Sequence, residues 1–209
     1  LVNSIQIETS FRDSYIKVVI SLDKYSRSLN YQVECDWQES GKAGDRIPQL
    51  NYILPLSYEC SSYKYDVPFG IIERKGMRRD VPANSFVVGM SEEDIKKSLM
   101  LMTGSKYGFR SENNSMAVTL IRGAFDPDPY PELGKHKFKF TVSLIDNDSN
   151  KNLIENTFNY NHPLQVVSGS VQKGDFATSQ SFIKLEKGTT VLSAIKKPEA
   201  ADKNNKCIV

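Results

Sequence analysis

This chain is short of the residues that most often do chemistry. Its 209 residues include two histidines, three cysteines and one tryptophan. Cys35, Cys60 and Cys207 are widely spaced and odd in number. That argues against a disulfide framework and for a reducing, cytoplasmic compartment. Neither His136 nor His162 has a second His or Cys at ligand spacing, so no zinc site is expected from this chain alone. Lysine and arginine number 27 against 25 acidic residues, a formal charge of +2. So slight an excess gives no electrostatic reason to expect nucleic acid or an anionic membrane as partner. No apolar run approaches the roughly 20 residues that span a bilayer, and no charged-then-apolar leader opens the chain. Low-complexity sequence and internal repeats are also absent. The chain starts without methionine in the strand-like stretch 2–9 and stops at Cys207-Ile208-Val209, which reads as the start of another strand. Complete chains usually end in polar, exposed segments, so the expectation is a piece of a longer polypeptide.

What the sequence does have is alternation. Leu29, Tyr31, Val33, Cys35 and Trp37 fall on one face of a strand, with Asn30, Gln32, Glu34 and Asp36 on the other. That is the pattern of a half-buried antiparallel strand. The nearly continuous YIKVVIS of 15–21 suits a strand buried on both faces. Between them 23–27 is a polar turn, which predicts a hairpin over 15–37. Further strands are predicted at 4–9, 51–56, 69–74, 86–88, 99–102, 117–122, 137–145, 165–169, 181–185 and 190–195. Ser91, followed by Glu92, Glu93 and Asp94 and then by Lys96 and Lys97, has the cap and charge order of one or two helical turns. Many strands and almost no helix predict an all-β chain of two packed antiparallel sheets. The small, polar stretch 168–180 is the best linker. The expected division is therefore a domain over 1–168, with 169–209 forming a linker and the first strands of a second, truncated β domain.

The stretch MAVTLIRGAFDPDPYPELGKHKFKF, 116–140, concentrates the candidate chemistry. Period-two counting places Met116, Val118, Leu120 and Arg122 on one face, and His136, Phe138, Phe140, Val142 and Leu144 on another. A charged group in phase with core residues needs a partner or a cleft at the strand end. For Arg122 that means an internal ion pair or a sugar hydroxyl, while His136 reads as a buried structural histidine. Asp126 and Asp128 each precede proline, which fits a stiff loop better than a carboxylate pair. The acidic run 146–150 imitates a calcium loop, but Lys151 stands where glycine is needed and Thr157 where the closing glutamate is needed, so it reads as a turn. Arg74, Lys75, Arg78 and Arg79 read as a solvated loop. These residues alone identify no enzyme.

Four motifs carry a resemblance: VPFGIIERKG at 67–76 with Val81-Pro82-Ala83, SKYGFRSENNSMAVTLIRG at 105–123, DPDPYPELGKHKFKF at 126–140, and TTVLSAIKKPEA at 189–200. The Cys35-Asp36-Trp37 strand end fits with them. Collinear across nearly the whole chain, they resemble the C-terminal β region of glycoside hydrolase family 38, the zinc-dependent α-mannosidases. Two positions depart from that pattern: Met102-Thr103-Gly104-Ser105 replaces a common Asn-Asp, and Phe86 stands where tryptophan is frequent.

The resemblance implies a galactose mutarotase-like supersandwich followed by the start of a second small β-sandwich. It also implies a parent enzyme that hydrolyses terminal α-mannosides of glycans. Its zinc ligands and nucleophile would lie in an upstream catalytic domain of the same polypeptide, so this fragment is expected to bind no cofactor and to be inactive alone. Arg122, with the turn Lys106-Tyr107-Gly108, is implied at the rim of the sugar cleft. The alternative is a free-standing carbohydrate-binding module, which would be expected to display exposed aromatics. The single tryptophan, Trp37, is instead in phase with core residues.

Overall fold

The structure, a computed structural model, describes residues 2–91, 97–128, 130, 132–146, 149–170, 173–186, 188, 192 and 194–199. The chain divides into two compact units, Leu1–Asn150 and Lys151–Val209. The first unit holds twelve strands among its described residues: β1 (Val2–Phe11), β2 (Ser14–Asp23), β3 (Ser28–Trp37), β4 (Gln49–Pro55), β5 (Cys60–Val67), β6 (Gly70–Arg74), β7 (Met77–Pro82), β8 (Phe86–Ser91), β9 (Lys97–Thr103), β10 (Gly108–Glu112), β11 (Ser115–Arg122) and β12 (Gly134–Asp146). Eight form one sheet in the order β1-β2-β3-β12-β9-β8-β5-β6, and four form the other in the order β4-β11-β10-β7. Every pairing is antiparallel. The expected all-β antiparallel sandwich is what the chain forms.

The core lies where the four-stranded sheet covers the middle of the eight-stranded one. Val33, Cys35 and Trp37 of β3 and Phe138, Phe140 and Val142 of β12 face Phe109, Met116 and Val118 in one buried cluster. The Phe140 ring stacks on Tyr31 at 4.6 Å and meets Tyr52 of the opposite sheet at 4.5 Å. The Tyr52 hydroxyl donates to that of Tyr31 at 3.1 Å. Burial pushes the Tyr52 phenol well above its ordinary range, so this contact stays neutral.

Two local features fix how the smaller sheet runs. Asn113 and Asn114 both take positive φ, 47° and 55°, in the two-residue turn between the paired Glu112 and Ser115. Asparagine tolerates that region, and the resulting turn matches the twist of the strands. The Asn114 side chain also accepts the Cys60 N–H at 3.0 Å, and its carbonyl accepts the Leu56 N–H at 2.7 Å, tying down the β4–β5 connection. Further along β11 the register against β4 shifts between Thr119 and Ile121, leaving Leu120 as an extra residue. Such a bulge reverses the phase of everything after it. Leu120 and Ile121 are both buried, and Arg122 turns outward. The in-phase placement of Arg122 predicted by simple alternation is thereby overturned.

Other expectations differ in instructive ways. β5, β7 and β10 were not predicted; their inward residues Tyr63, Tyr65, Val81 and Phe109 are interrupted by charged or polar neighbours. The basic cluster Arg74–Arg79 lies mostly on β6 and β7 rather than in a loop, with Arg78 ion-paired to Glu112 at 2.6 Å. β2, read as buried on both faces, is only partly buried along 16–21. Of the helical turns predicted after Ser91, residues 92–96 lie outside the described residues. Asp146 belongs to β12 and pairs with Arg27 at 3.1 Å, residues 147–148 of the calcium-like run lie outside the described residues, and Asn150 begins a helix.

In the second unit, 165–169 and 181–185 have irregular backbone rather than the predicted strands, and 190–195 is described only in part. Alternation marks a sequence able to pair, but a strand also needs a neighbour. The helix α1, Asn150–Asn161, was not predicted. Asparagine at 150, 152, 156, 159 and 161 is a weak helix former, and the first turn carries no acid. Leu153 and Thr157, one turn apart, form its buried stripe.

Phe140→Ala is expected to lower unfolding free energy by about 3–5 kcal/mol, because it removes a buried ring at the junction of the sheets. Ile53→Ala, at a position 58% exposed, should stay within about 0.5 kcal/mol. Urea denaturation of both variants checks the contrast.

Candidate functional site

Within each sheet every pairing is antiparallel, and Trp37 at the end of β3 lies beside Gly123 just after β11, so in both sheets the odd-numbered strands run one way and the even-numbered strands the other. The connections β1–β2, β3–β4, β5–β6, β7–β8, β9–β10 and β11–β12 therefore emerge together at one end of the sandwich. Lys106, Tyr107, Gly108 and Arg122 all lie in or beside these connections, so the fold brings the four candidates to the same end.

The 103–108 turn is rigidly held. Thr103 Oγ1 donates to the Lys106 carbonyl at 2.6 Å, and the Thr103 N–H donates to the Ser85 carbonyl at 2.8 Å. The Ala83 N–H donates to the Tyr107 carbonyl at 3.0 Å, and Gly108 pairs with Pro82. The neighbouring 83–86 turn is clamped by Asp66, whose carboxylate accepts the N–H groups of Ser85 and Phe86 at 2.8 and 2.9 Å. On this frame Tyr107 projects its ring outward, 58% exposed.

Lys106 lays its ammonium over the Phe138 ring, 4.7 Å from the centroid. Burial lowers its pKa, with the Glu132 carboxylate acting weakly in the other direction. His136, at the start of the next strand, is half-buried; its Nε2 lies 2.6 Å from the Glu132 carbonyl. The structural reading of His136 fits that contact, although the ring is not fully enclosed.

Arg122 ends β11 exposed, and among the described residues no carboxylate pairs with it. The internal ion pair weighed as one explanation of Arg122 is not formed among the described residues. Its successor Gly123 cannot carry a side chain: a Cβ there would lie 2.7 Å from the Glu39 carbonyl oxygen and 3.3 Å from Trp37 Nε1. Trp37 is buried, and its indole N–H has no acceptor among the described residues. Beside it the Glu39 carboxylate accepts from Ser14 Oγ at 2.9 Å and from the Asp13 N–H at 3.3 Å, with the Arg12 guanidinium 3.7 Å away. Phe11, Arg12, Trp37, Glu39, Pro48, Gln49 and Leu50 line a recess of about 400 Å³ in this corner.

Sequence reasoning missed two exposed rings at the same end. Phe69 sits at the tip of the β5–β6 hairpin with φ of 68°, fully exposed, and Tyr130 lies in the 123–133 connection at 73% exposure. The signals were present, since Pro-Phe-Gly and Pro-Tyr-Pro are turn sequences that present an aromatic. Among the described residues no three His, Cys, Asp or Glu side chains gather as a metal site requires. No helix among them is long and apolar enough to cross a membrane.

An all-β sandwich with its odd-to-even loops gathered over a rigid end defines a scaffold class but not yet a lineage. The family model for the glycosyl hydrolases family 38 C-terminal domain matches residues 1–130. The chain belongs to that family. It is 22% identical over 163 residues to alpha-mannosidase G of Dictyostelium discoideum, covering 75% of this chain and 13% of that protein. A crystal structure of a protein in glycosyl hydrolase family 38 from Enterococcus faecalis shares its fold, with a TM-score of 0.64 and 18% identity over 78% of this chain and 20% of that one. The chain thus spans about an eighth to a fifth of the length of these relatives.

Lys106 generates a pH prediction. The folded chain binds the Lys106 proton less tightly than the unfolded chain, so its contribution to stability rises with pH between the lowered pKa and the ordinary 10.5. Lys106→Met should therefore be more stable than the parent sequence at pH 7. The gap should close as pH passes 10.5. Urea midpoints at pH 7, 9 and 10.5 check this, and a gap independent of pH would count against it.

Proposed function

We propose that this chain is the accessory β region of a longer α-mannosidase polypeptide, packing on an upstream catalytic domain and framing its mannoside cleft. The observation that carries the reading is the gathering of Arg122 and the Lys106-Tyr107-Gly108 turn at one end of the sandwich, in a chain of family 38. An exposed guanidinium that pairs with no carboxylate among the described residues can donate two hydrogen bonds to sugar hydroxyls. Catalysis would rest elsewhere: zinc and the carboxylates that cleave the glycosidic bond belong, in this reading, to the catalytic domain. Under the same reading 1–168 forms one domain and 169–209 begins a second β domain.

The isolated chain should then neither bind stoichiometric zinc nor cleave an aryl α-mannoside; turnover by it would end the reading. In the full-length polypeptide, Arg122→Ala should lower kcat/KM on an aryl α-mannoside roughly 10- to 100-fold, the scale of a lost charged hydrogen bond. Unchanged kcat/KM with unchanged thermal stability would leave the region a structural spacer.

A second reading draws on Phe69, Tyr107 and Tyr130, whose rings stand exposed at that same end. Exposed aromatics are what a carbohydrate-binding module presents to a sugar face. Titration of the isolated chain with mannobiose separates the two: millimolar or tighter binding by the isolated chain favours the module, and none favours the cleft rim.

A further inference from the structure

The inner face of the eight-stranded sheet continues past the point where its cover stops. One cross-strand row runs Phe140, Tyr31, Ile20, Ile5, and the next runs Phe138, Val33, Val18, Ile7. Phe140 and Val33 are each 2% exposed, whereas Ile5 and Ile7 at the outer ends are 67% and 48% exposed. Leu22 and Leu29, paired in a third row, are each 39% exposed. The covering sheet ends at β4, where Tyr52 reaches Tyr31, and no strand lies beyond β4 among the described residues. Beyond Phe11, Ile16 and Val18, which pack on the margin of the core, β1 and β2 therefore present a core-like face with no strand of the small sheet opposite among the described residues.

Three further observations point the same way. β2 has the sequence of a strand buried on both sides, yet none of its residues from Tyr15 onward is fully buried. The edge strand β1 carries one charged residue, Glu8, and lacks the lysines or prolines that keep an open edge from pairing. Leu50, Tyr52 and Leu54 of β4 point inward but are only partly buried, as side chains at an unfinished sheet edge would be.

We infer that two further β-strands, from a part of the same polypeptide outside residues 1–209, add to the free edge of β4 and pack apolar side chains on Ile5, Ile7, Val18 and Ile20. Strands neighbour at about 4.8 Å and sheets stack at about 10 Å, so covering β2 and β1 takes two strands in continuation of β4. Such strands satisfy both the open backbone edge and the open face. A second copy laid face to face would leave each β4 edge unpaired. The relatives supply the scale, since this chain spans only 13% and 20% of their lengths. The inference rests on the proposal that the chain works within a longer polypeptide, and is independent of that polypeptide's activity on mannosides.

The test places a photo-crosslinking benzoylphenylalanine at position 7, or at position 6 on the opposite face, in the full-length polypeptide, with products mapped by peptide mass spectrometry. Position 7 should crosslink within one polypeptide to an alternating apolar segment outside 1–209, at least tenfold more than position 6, and unchanged on tenfold dilution. A crosslinked dimer, crosslinks confined to 1–209, or equal yields at the two positions would overturn the inference. Because the bulky probe can itself disturb packing, Ile7→Cys and Gln6→Cys are compared in parallel for maleimide labelling. Labelling at position 7 at least tenfold slower supports the inference, and equal rates sink it. The same preparation is assayed on an aryl α-mannoside. Activity with position 7 freely labelled would fail this inference alone, and protection without activity would fail only the functional reading.

Discussion

The contact of Phe140 with Tyr31 and Tyr52 is the constraint on which the rest of this sandwich depends. β12 is the only described strand that pairs with both β3 and β9, so it joins the β1-β2-β3 half of the large sheet to the β9-β8-β5-β6 half. Its inner face is also what the small sheet covers, with Tyr52 reaching across to it. Pairing along the sheet and packing between sheets thus converge on one ring. Apolar burial at this point stabilises both directions of the fold at once.

The proposed function draws on direction of travel. A strictly antiparallel order sends alternate loops to opposite ends, and here the β5–β6, β9–β10 and β11–β12 connections go to one end. The opposite end is closed by short turns such as Asn113–Asn114. Rigidity is concentrated beneath the candidate rim, where Asp66 and Thr103 hold loop backbone, the Asp66 carboxylate also accepting from Ser85 Oγ. A loop anchored in that way holds an exposed tyrosine or arginine at a fixed position, which is what positioning a sugar requires.

Much of this was legible in the residues. The faultless alternation of 29–37 became β3 with Val33, Cys35 and Trp37 buried, and 137–145 fell inside β12. The motifs pointed to the right family. What alternation could not show was where it breaks: the bulge at Leu120 depends on how β11 pairs with β4, a relation between distant segments that no local window contains. Strands such as β7, MRRDVP, look polar because only Val81 enters the core. The recess around Trp37 and Glu39 was equally hidden, being assembled from two connections separate in sequence, β1–β2 and β3–β4, with their flanking residues. Helix α1 failed for the opposite reason, since its asparagines argue locally against a helix that forms all the same.

The bulge also makes the aim of Arg122 a matter of counting rather than of chemistry. One residue more or fewer between Thr119 and Arg122 would exchange the inside for the outside, whatever the residue was. Substitution in this segment alters what the rim offers. Insertion or deletion alters whether the proposed rim has an arginine at all. The length of β11 is therefore under a constraint separate from the packing that favours an apolar residue at the buried position 120.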